Sequence, residues 1–543
     1  MKIPIVIGVT GHRDLRQQDI PILRQMVRAE LEKLKNGYPH SELVMLNSLA
    51  SGADSLCAEE ALKLGISLVC PLPMDVEEYR KDFLVDELTV FDDLLSKADE
   101  VFVAPHTESE REDRDYLYRQ AGIYVAAHSH VLLALWDGSD PKPDGCGTAE
   151  TVSFMLHGEY EGAGSCFHAE NDGAVIHIRT TRESGRVSFP ISVHLIENRT
   201  GSLHEVLKMT DCYNADASTI RESADKLIPE NDLKTVDETS KKLQEVYHSA
   251  DVLALRFQKK YLNEIRWFSV FGMLLVLLFL FYDELENNLF LIEYGILIAI
   301  YAAAYFISSK RKNHEKYLQY RVLSETVRTQ FYLSVAGFSD DIGNSFTWTQ
   351  RFESTWIREA VSALLIGMSP HSIVSFDTVK VYWIDGQLAY HKRASERNAH
   401  KQRFSRKTAG VLLTASVTLL VMVLVFEFIP GMIMERPIIS ASVSRLFMYP
   451  VGQPLTLCSL LKIILGAISA GTVFLTNYFG KLSLERKSMD HEKMAALYAA
   501  AKHSLENGTS GRERILLELA REEIIECNNW FSYCRENPPS FDI

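Results

Sequence analysis

Three glycine-containing turns are the part of this chain best suited to binding a phosphate. They are Gly8-Val-Thr-Gly-His-Arg13, Ser51-Gly-Ala-Asp54 and Pro143-Asp-Gly-Cys-Gly-Thr-Ala-Glu150. Glycine lets a ligand approach the backbone closely, and the amides that open a following helix offer partial positive charge to an anion. Each turn follows a short apolar run, so all three are expected at the carboxyl edge of one sheet. Together they predict a nucleotide-type site.

Two common classes of nucleotide-binding protein are disfavoured by the same stretches. The chain has no G-x-x-x-x-G-K-[ST] motif, with which P-loop NTPases bind phosphates. It also lacks G-x-G-x-x-G followed by an acidic residue about 20 positions further on, the fingerprint of ordinary NAD dehydrogenases. The turns therefore predict a nucleotide site of another kind.

The elements that position these turns are short apolar runs alternating with helical stretches, as in buried parallel sheets. The predicted helices are 20–34, 55–64, 76–95 and 116–127, and the predicted strands are 3–9, 42–50, 66–72, 100–104, 131–136, 173–181 and 188–196. The alternation predicts a doubly wound parallel sheet of the α/β Rossmann-like class. Tyr79 and Arg80 are expected on a surface helix.

The second half of the chain holds four long apolar stretches, at 267–282, 289–309, 408–429 and 457–479. Three of them reach the ~20 residues that a bilayer requires, and the first is marginal. They form two hairpins, which predicts an all-α membrane region of four transmembrane helices beside the α/β head. Ionisable residues inside spans are costly and usually functional, and three occur here: Glu293, Glu427 and Lys462. The last two could pair across the second hairpin, or all three could reach the outer interface.

Basic residues indicate which ends of the spans face the cytoplasm. Lysines and arginines precede the first and third spans and follow the second and fourth, whereas the loop 283–288 has none. Both hairpins are therefore expected to point outward, with the amino and carboxyl termini in the cytoplasm. Each hairpin is followed by the same tripeptide, His314-Glu-Lys316 and His491-Glu-Lys493, which indicates a duplicated module.

Composition excludes several other functions. A formal charge of −14 and a pI near 5.7 argue against a general nucleic-acid binder, which would present a basic face. Eight cysteines occur without any C-x-x-C pair, so neither a zinc site nor a secreted disulfide framework is expected. No metal and no resident cofactor are predicted.

Five segments of the head occur in an order that matches a known family: GVTGHRDL, SLASGADSLCAEEAL, PLP followed by EEYRKDF, HSHVLLALWDG and PDGCGTAE. Together they resemble the SLOG branch of Rossmann-like proteins, a superfamily that also holds the LOG-type nucleotide hydrolases and the DNA-processing protein DprA. The resemblance covers roughly residues 1–200. It implies a phosphate loop of the form P-G-G-x-G-T-x-x-E, to which Gly145, Gly147 and Thr148 correspond.

The chain departs from that loop at two positions. Asp144 replaces the first glycine, and Glu150 lies one residue before the family's glutamate, where this chain has Thr151. The LOG hydrolases also carry an Arg-Lys pair on the preceding helix, of which Arg119-Gln120 keeps only the arginine. The resemblance therefore implies binding of phosphate and ribose without turnover. A LOG-type nucleotide N-glycosidase that uses Glu150 and Arg119 is the alternative.

The resemblance and the turns together assign a role to each candidate residue of the head. Arg13 would pair with a phosphate through its planar guanidinium. Asp54 and Glu150 would accept ribose hydroxyls, with Trp136 or His12 near a base. Two structural alternatives stay open: Asp54 caps the helix that follows it, and Trp136 belongs to the core. Phosphates would be held by backbone amides around Gly11, Gly52, Gly145, Gly147 and Thr148.

Residues 240–340 and 382–535 are similar to SLATT-type domains, which are two-span membrane effectors found with SLOG heads in bacterial conflict systems. The similarity is carried by QLAYHKRASERNAHKQRF before the third span and by LAREEIIECNNWF near the carboxyl end. The expected domains are a nucleotide-binding head at 1–235, a first two-span module at 236–340, a connector at 341–381 and a second two-span module at 382–543.

These resemblances imply a bacterial antiviral sensor-effector of the inner membrane. The head would bind a nucleotide second messenger, such as a cyclic nucleotide or an ADP-ribose derivative, made by an enzyme encoded nearby. The membrane part, as a homo-oligomer in the lipid bilayer, would then form a pore or disrupt the membrane and stop growth of the infected cell. No nucleic acid is expected as a partner. A plain transporter is disfavoured, because the spans hold few polar residues and no broken half-helices.

Overall fold

The described strands of the head form one seven-stranded sheet in the computed structural model. The strands are β1 (Ile5–Gly11), β2 (Leu43–Leu46), β3 (Ser67–Leu72), β4 (Glu100–Val103), β5 (Val131–Trp136), β6 (Ala174–Arg179) and β7 (Ser192–Glu197). They lie in the order β4-β3-β2-β1-β5-β6-β7, and neighbours are parallel except β6 and β7. This sheet confirms the predicted α/β class of the head. The structure describes residues 1–106, 113–142, 145–158, 173–185, 190–221, 226–234, 236–347, 353–368, 376–433, 450–452, 455–508 and 511–537.

Helices cover both faces of this sheet, because its strands are apolar on both sides. The helices of the head are α1 (Ile20–Gly37), α2 (Ala53–Lys63), α3 (Val76–Tyr79), α4 (Val85–Lys97), α5 (Arg114–Ala127), α6 (Thr148–His157), α7 (Ser202–Ala217) and α8 (Glu230–Leu233). Alternate residues of β1 pack on opposite faces of the sheet. Ile5 and Ile7 belong to the core formed with α1, α2 and α7, whereas Val6 belongs to the core formed with α5 and α6.

One predicted helix, 76–95, is two helices in the structure. α3 ends at Tyr79, Arg80–Asp82 form a 3-10 turn, and α4 begins at Val85 after two extended residues. The carboxylate of Glu87 accepts a hydrogen bond from the amide of Leu84 at 2.9 Å. This bond satisfies one of the free amides at a helix start, which explains why the helix restarts there.

The rest of the chain is mainly helical. Four of the described helices are long and apolar enough to cross a membrane, at Glu238–Leu285, Asn288–Val335, Phe376–Val425 and Ser459–Asn507. The predicted membrane region is confirmed to that extent. The helices are α9 (Glu238–Leu285), α10 (Asn288–Arg311), α11 (Asn313–Val335), α12 (Thr355–Leu364), α13 (Phe376–Thr378), α14 (Gly386–Ile433), α15 (Leu457–Lys481), α16 (Leu484–Asn507) and α17 (Arg512–Glu536).

The chain divides into two compact units that each combine distant segments. Unit 1 comprises Met1–Leu253, Gln319–Val379 and Leu516–Ser532. Unit 2 comprises Ala254–Leu318, Lys380–Ile515 and Tyr533–Ile543. Unit 1 therefore contains the sheet together with parts of α9, α11 and α17. The domain divisions after residues 235, 340 and 381 stay predictions.

A chain of ion pairs joins three helices within unit 1. Arg321 on α11 pairs with Asp251 on α9 at 2.9 Å and with Glu325 on its own helix. Arg328, also on α11, pairs with Glu325 at 2.5 Å and with Glu523 on α17. Arg328 and Glu523 are both buried. Removing one partner would leave a buried charge unpaired, so this chain of ion pairs holds the three helices together.

The repeated tripeptide has similar surroundings at its two positions, both in unit 2. His314 stacks on Tyr261 of α9, with ring centroids 4.4 Å apart. His491 lies edge-on to Tyr390 of α14 at 5.9 Å, and its Nδ1 is 3.0 Å from Nδ1 of His391. In both cases the helix that leads into the hairpin supplies aromatic rings to the histidine of the helix that follows the hairpin. This likeness supports the predicted duplication.

Small residues bring the first and last spans together, also within unit 2. A Cβ at Gly272 on α9 would lie 2.6 Å from the ring of Phe474 on α15. A Cβ at Gly466 on α15 would overlap the side chain of Leu280 on α9. Glycine allows such close approach of helices in a membrane, where packing is a main source of attraction.

Candidate functional site

The candidate site lies where the order of the sheet reverses. β1 and β5 are neighbours, but the chain leaves β1 toward β2 and reaches β5 only after β4. In open α/β sheets, ligands bind outside the carboxyl ends of the strands at such a reversal. The first glycine segment, Gly8–Arg13, forms the carboxyl end of β1 as far as Gly11 and then leaves the strand, the second segment leads from β2 into α2, and Trp136 ends β5.

Gly11 and Gly52 allow the first two turns to touch. A Cβ at Gly11 would overlap that of Ala53 and lie 3.0 Å from the carbonyl oxygen of Leu135. Gly52 has a φ of +83°, and a Cβ there would lie 2.7 Å from the carbonyl oxygen of His12. The amide of Ala53 donates to that same oxygen at 3.1 Å. Both glycines are thus required by backbone packing, whatever ligand the turns hold.

His12 is buried, with 8% of its surface exposed. Its Nε2 accepts a hydrogen bond from the amide of Asp137 at 3.1 Å and lies 3.2 Å from Oδ1 of the same residue. Burial lowers the pKa of His12, and the Asp137 carboxylate opposes that shift. A neutral imidazole, which can accept the amide proton, agrees with both observations. His12 therefore ties the loop after β1 to the loop after β5, and its contact with a base stays a prediction.

Asp54 is a buried carboxyl in the first turn of α2, with 6% of its surface exposed. The helix begins at Ala53 with Gly52 at the N-cap position, so the alternative that Asp54 caps the helix is wrong. Burial raises the pKa of Asp54 to about 7, while Arg13 and the amide of Ala50 act to lower it. Near neutral pH both protonation states are present, and the carboxyl can donate or accept a hydrogen bond.

Arg13 is exposed, and its guanidinium lies over an aromatic ring. Its Cζ is 5.0 Å from the ring centroid of Tyr118, a distance at which cation and ring attract each other. The Tyr118 hydroxyl donates to the carboxylate of Asp82, whose other oxygen accepts from Arg114 Nη2 at 2.7 Å. Tyr118 is thus fixed in place, and it positions Arg13 within electrostatic range of Asp54.

Tyr79 is the residue whose surroundings depart furthest from the sequence prediction. Arg80 is partly exposed and pairs with Asp92 at 2.8 Å, but Tyr79 is fully buried. Its ring packs edge-on against Phe83 and Phe91, with centroids 5.0 and 5.6 Å away. The surface position predicted for Tyr79 is wrong, because α3 is a single turn that directs this side chain into an aromatic core. Its hydroxyl has no hydrogen-bond partner in the part of the chain that the structure describes.

Glu150 closes the third glycine turn. Its carboxylate accepts hydrogen bonds from the amides of Lys142 at 2.7 Å and Gly147 at 2.9 Å. Arg119 Nε donates to the carbonyl oxygen of Gly145 at 3.1 Å. Glu150 is the third residue of α6, where a glutamate commonly caps the helix start. The amide of Gly147, predicted to hold a phosphate, therefore already has a carboxylate partner.

The remaining predicted residues of the head lie beside these turns. Thr148 is buried in the first turn of α6. Trp136 is half-buried, its Nε1 donates to Ser139 Oγ at 3.3 Å, and its ring lies 5.0 Å from that of His177. Residues 143 and 144 lie outside the described part of the chain. Trp136 thus packs against the core of the head while staying partly exposed, and its contact with a base stays a prediction.

Two of the three ionisable residues predicted inside the spans have described side chains. Glu293 is exposed on α10, and Lys462 is partly buried on α15. Glu427 lies on α14, but its side chain is outside the described part, so its pairing with Lys462 stays a prediction. Among the described residues, no group of three or more His, Cys, Asp or Glu side chains could hold a metal ion.

The described contacts join the first turn to the second, whereas the third turn contacts α5 and its own helix. Sequence reasoning did not find the roles of Tyr79, Tyr118 and Asp82. A signal for Tyr79 and Asp82 was present: the segment EEYRKDF follows β3, and the carboxyl end of β3 lies at the same edge of the sheet as the first two turns. For Tyr118, the signal was its place next to Arg119 on the helix before β5.

The arrangement offers an exposed cation, an ionisable carboxyl and a pair of backbone turns at the reversal of a parallel sheet. Such a set suits an oxyanion with hydroxyl groups next to it. No protein-family model matches this chain, and no curated protein matches it.

Proposed function

We propose that the sheet domain binds a nucleotide-derived signal and that the four spans respond to it. The observation that carries this proposal is the contact between the first two turns at the reversal of the sheet, with Arg13 and Asp54 beside it. Arg13 supplies a positioned cation for a phosphate, and Asp54 supplies an acceptor or donor for a ribose hydroxyl. The resemblance of the same turns to SLOG domains supports the nucleotide class.

The membrane half is the effector in this proposal. Four described helices have the length and composition of spans, and the basic residues at their predicted inner ends favour cytoplasmic termini. The similarity to SLATT-type modules supports the inner membrane of a bacterium and an antiviral role. An enzyme encoded nearby would make the signal, and a homo-oligomer would then form a pore or disrupt the bilayer.

Helix α9 is the element through which binding would reach the spans. A ligand shifts a second site only if it binds two states of the protein with different affinity. α9 contains both the segment that follows the head and the first predicted span in one continuous helix. Within unit 1, the ion pair of Asp251 with Arg321 fixes α9 to α11. A change in the head that disturbs this anchor would move the helix that enters the membrane.

A LOG-type nucleotide N-glycosidase is the second candidate. Its catalytic residues would be Glu150 and Arg119, which lie together at the third turn. Glu150 accepts two backbone amides there, and Arg119 donates to the Gly145 carbonyl. Both side chains are engaged in holding the turn, which favours binding without turnover. Release of a free base from a bound nucleotide would favour the enzyme instead.

The test is a thermal-shift screen of the full-length protein in lipid nanodiscs against cyclic nucleotides, NAD and ADP-ribose derivatives. The full chain is needed because unit 1 includes Gln319–Val379 and Leu516–Ser532. A true ligand at 100 times its Kd should raise the free energy of unfolding by about 2.7 kcal/mol.

Arg13→Ala should lose this shift, and Arg80→Ala is the matched control. Arg80 is an arginine of the same unit whose guanidinium pairs with Glu77 and Asp92, so its removal should leave the shift intact. The absence of a shift with every nucleotide, or an equal shift in Arg13→Ala, would remove the proposal. Chromatography of the same mixtures reveals any released base.

A further inference from the structure

The hydroxyl of Tyr79 has no hydrogen-bond partner among the described residues, although the residue is 0% exposed. Buried tyrosine hydroxyls usually have a partner, because an unpaired polar group in the interior destabilises the folded state. Tyr79 follows β3, whose carboxyl end lies at the same edge of the sheet as the first two turns. The described residues therefore leave this donor without an acceptor.

The position of this hydroxyl is fixed by aromatic packing. The ring of Tyr79 contacts Phe83, Phe91 and Tyr118 edge-on, with centroid distances of 5.0, 5.6 and 6.0 Å. Flipping the ring about its own axis leaves the hydroxyl oxygen where it is, so the packed ring holds a donor in one place. A donor that is already ordered loses little entropy when it binds a partner.

Three charged groups lie within electrostatic range of this hydroxyl: Arg13, Asp54 and Asp82. Tyr118 links Tyr79 to two of them, since its ring contacts that of Tyr79 and lies under the guanidinium of Arg13 at 5.0 Å, and its hydroxyl donates to Asp82. Arg13 is exposed, whereas Asp54 and Tyr79 are buried. Arg13, Asp54 and Tyr79 therefore lead from solvent toward the interior, with the cation on the outside.

We propose that the Tyr79 hydroxyl donates a hydrogen bond to a phosphoryl oxygen of the ligand, while Arg13 pairs with another oxygen of the same phosphoryl group. This inference rests on the proposed nucleotide-binding function. A phosphoryl group fits because it offers several acceptors and no obligatory donor, and both residues donate.

The test compares Tyr79→Phe with Tyr213→Phe in the full-length protein in nanodiscs. Tyr213 is an equally buried tyrosine of unit 1, but its hydroxyl donates to the carbonyl oxygen of Val246 at 3.3 Å. Its ring contacts are with Tyr320 and Trp356, away from the first two turns. The probes are ribose 5-phosphate, which carries the unit that nucleotide candidates share, and ribose, which lacks the phosphoryl group.

Tyr79→Phe should keep or raise the melting temperature, because the substitution removes an unpaired buried hydroxyl, and it should weaken binding of ribose 5-phosphate by about tenfold or more. Tyr213→Phe should lower the melting temperature and leave binding unchanged. The proposal is overturned if Tyr79→Phe binds ribose 5-phosphate as tightly as wild type. A wild-type protein that binds neither ribose 5-phosphate nor any nucleotide would instead contradict the proposed function itself.

A double-mutant cycle provides a second measurement that does not depend on stability. If both residues contact one phosphoryl group, Tyr79→Phe should lower the affinity for ribose 5-phosphate less in an Arg13→Gln background than in wild type. The reason is that the phosphoryl group is no longer fixed in place once the guanidinium is removed. Strictly additive losses would show that the two residues do not share a ligand group.

Discussion

The first two glycine turns and the third turn differ in what their glycines touch. A Cβ at Gly11 or Gly52 would meet neighbouring backbone or the Cβ of Ala53, and Gly52 also has a positive φ. Among the described residues, the atoms nearest to a Cβ at Gly145 or Gly147 belong to the side chain of Glu150. The first two turns are therefore fixed by the backbone, whereas the third is closed by one side chain that can move.

This difference indicates which turn can change its conformation when a ligand binds. The fixed turns offer a preformed surface, which costs little to occupy. The third turn has its amides already bonded to a carboxylate, so an anion that binds there must replace Glu150. We expect the first two turns to set which group is recognised, and the third turn to rearrange when that group arrives.

A side chain introduced at the fixed turns should destabilise the protein more than any other change proposed below. Gly52→Val places a branched residue at a φ of +83°, with its Cβ 2.7 Å from the His12 carbonyl oxygen. The free energy of unfolding of unit 1 should fall by about 5 kcal/mol or more, enough to prevent folding. Gly147→Val is the control: its φ is −102°, its Cβ would lie 3.2 Å from Glu150 Oε2, and the loss should stay near 1 kcal/mol. Urea titrations followed by tryptophan fluorescence measure both, and equal losses would abolish the distinction.

A smaller effect is expected from Asp54, the ionisable group beside the fixed turns. Burial raises its pKa from an ordinary value near 4 to about 7, so the folded state binds this proton more tightly than the unfolded state. Its contribution to stability is therefore present below pH 4, falls as the pH rises to 7 and is level above that. Asp54→Asn cannot titrate, so its stability relative to wild type should rise by about 3 to 4 kcal/mol between pH 4 and pH 7.

The measurement is a set of urea titrations of both proteins at pH steps across that range. The difference between the two proteins isolates Asp54, because every other titrating group is common to both. A constant difference from pH 4 to pH 8 would show that this carboxyl has an ordinary pKa.

The smallest effect is expected at the adjustable turn. Glu150→Gln removes the negative charge that the amides of Lys142 and Gly147 now face, and should lower the free energy of unfolding by about 1 kcal/mol. The same change should tighten binding of ribose 5-phosphate by about twofold to fivefold, since a carboxylate no longer competes for the helix amino end. Calorimetric titration gives the affinity. Weaker binding would mean that Glu150 accepts a ribose hydroxyl instead.

The sheet could be predicted because its strands carry one physical signal along their whole length. Ile5, Val6 and Ile7 serve two cores on opposite faces, and only a strand buried on both sides has such an unbroken apolar run. The predicted spans of the second half are likewise marked by one long apolar run each. Each of these predictions depends on local composition alone, without knowledge of a distant partner.

The site could be predicted only in part, because side-chain partners come from distant segments. The sequence indicated Arg13 and Asp54 but not the Tyr118 ring that positions Arg13. The burial of Tyr79 depends on Phe83 and Phe91, which lie beyond the single turn of α3. For the third turn, the glycine pattern predicts backbone amides that are free to bind a phosphate. The structure instead has the amides of Lys142 and Gly147 donating to the carboxylate of Glu150.

The matching surroundings of His314 and His491 have a consequence for stoichiometry. If each chain carries two equivalent hairpins, an assembly of any number of chains contains an even number of them. Neighbouring hairpins within one chain meet through Gly272 and Gly466, while those of adjacent chains must meet through other surfaces. A ring of this protein would therefore alternate two kinds of contact, and its rotational symmetry would be half of the number of hairpins that line it.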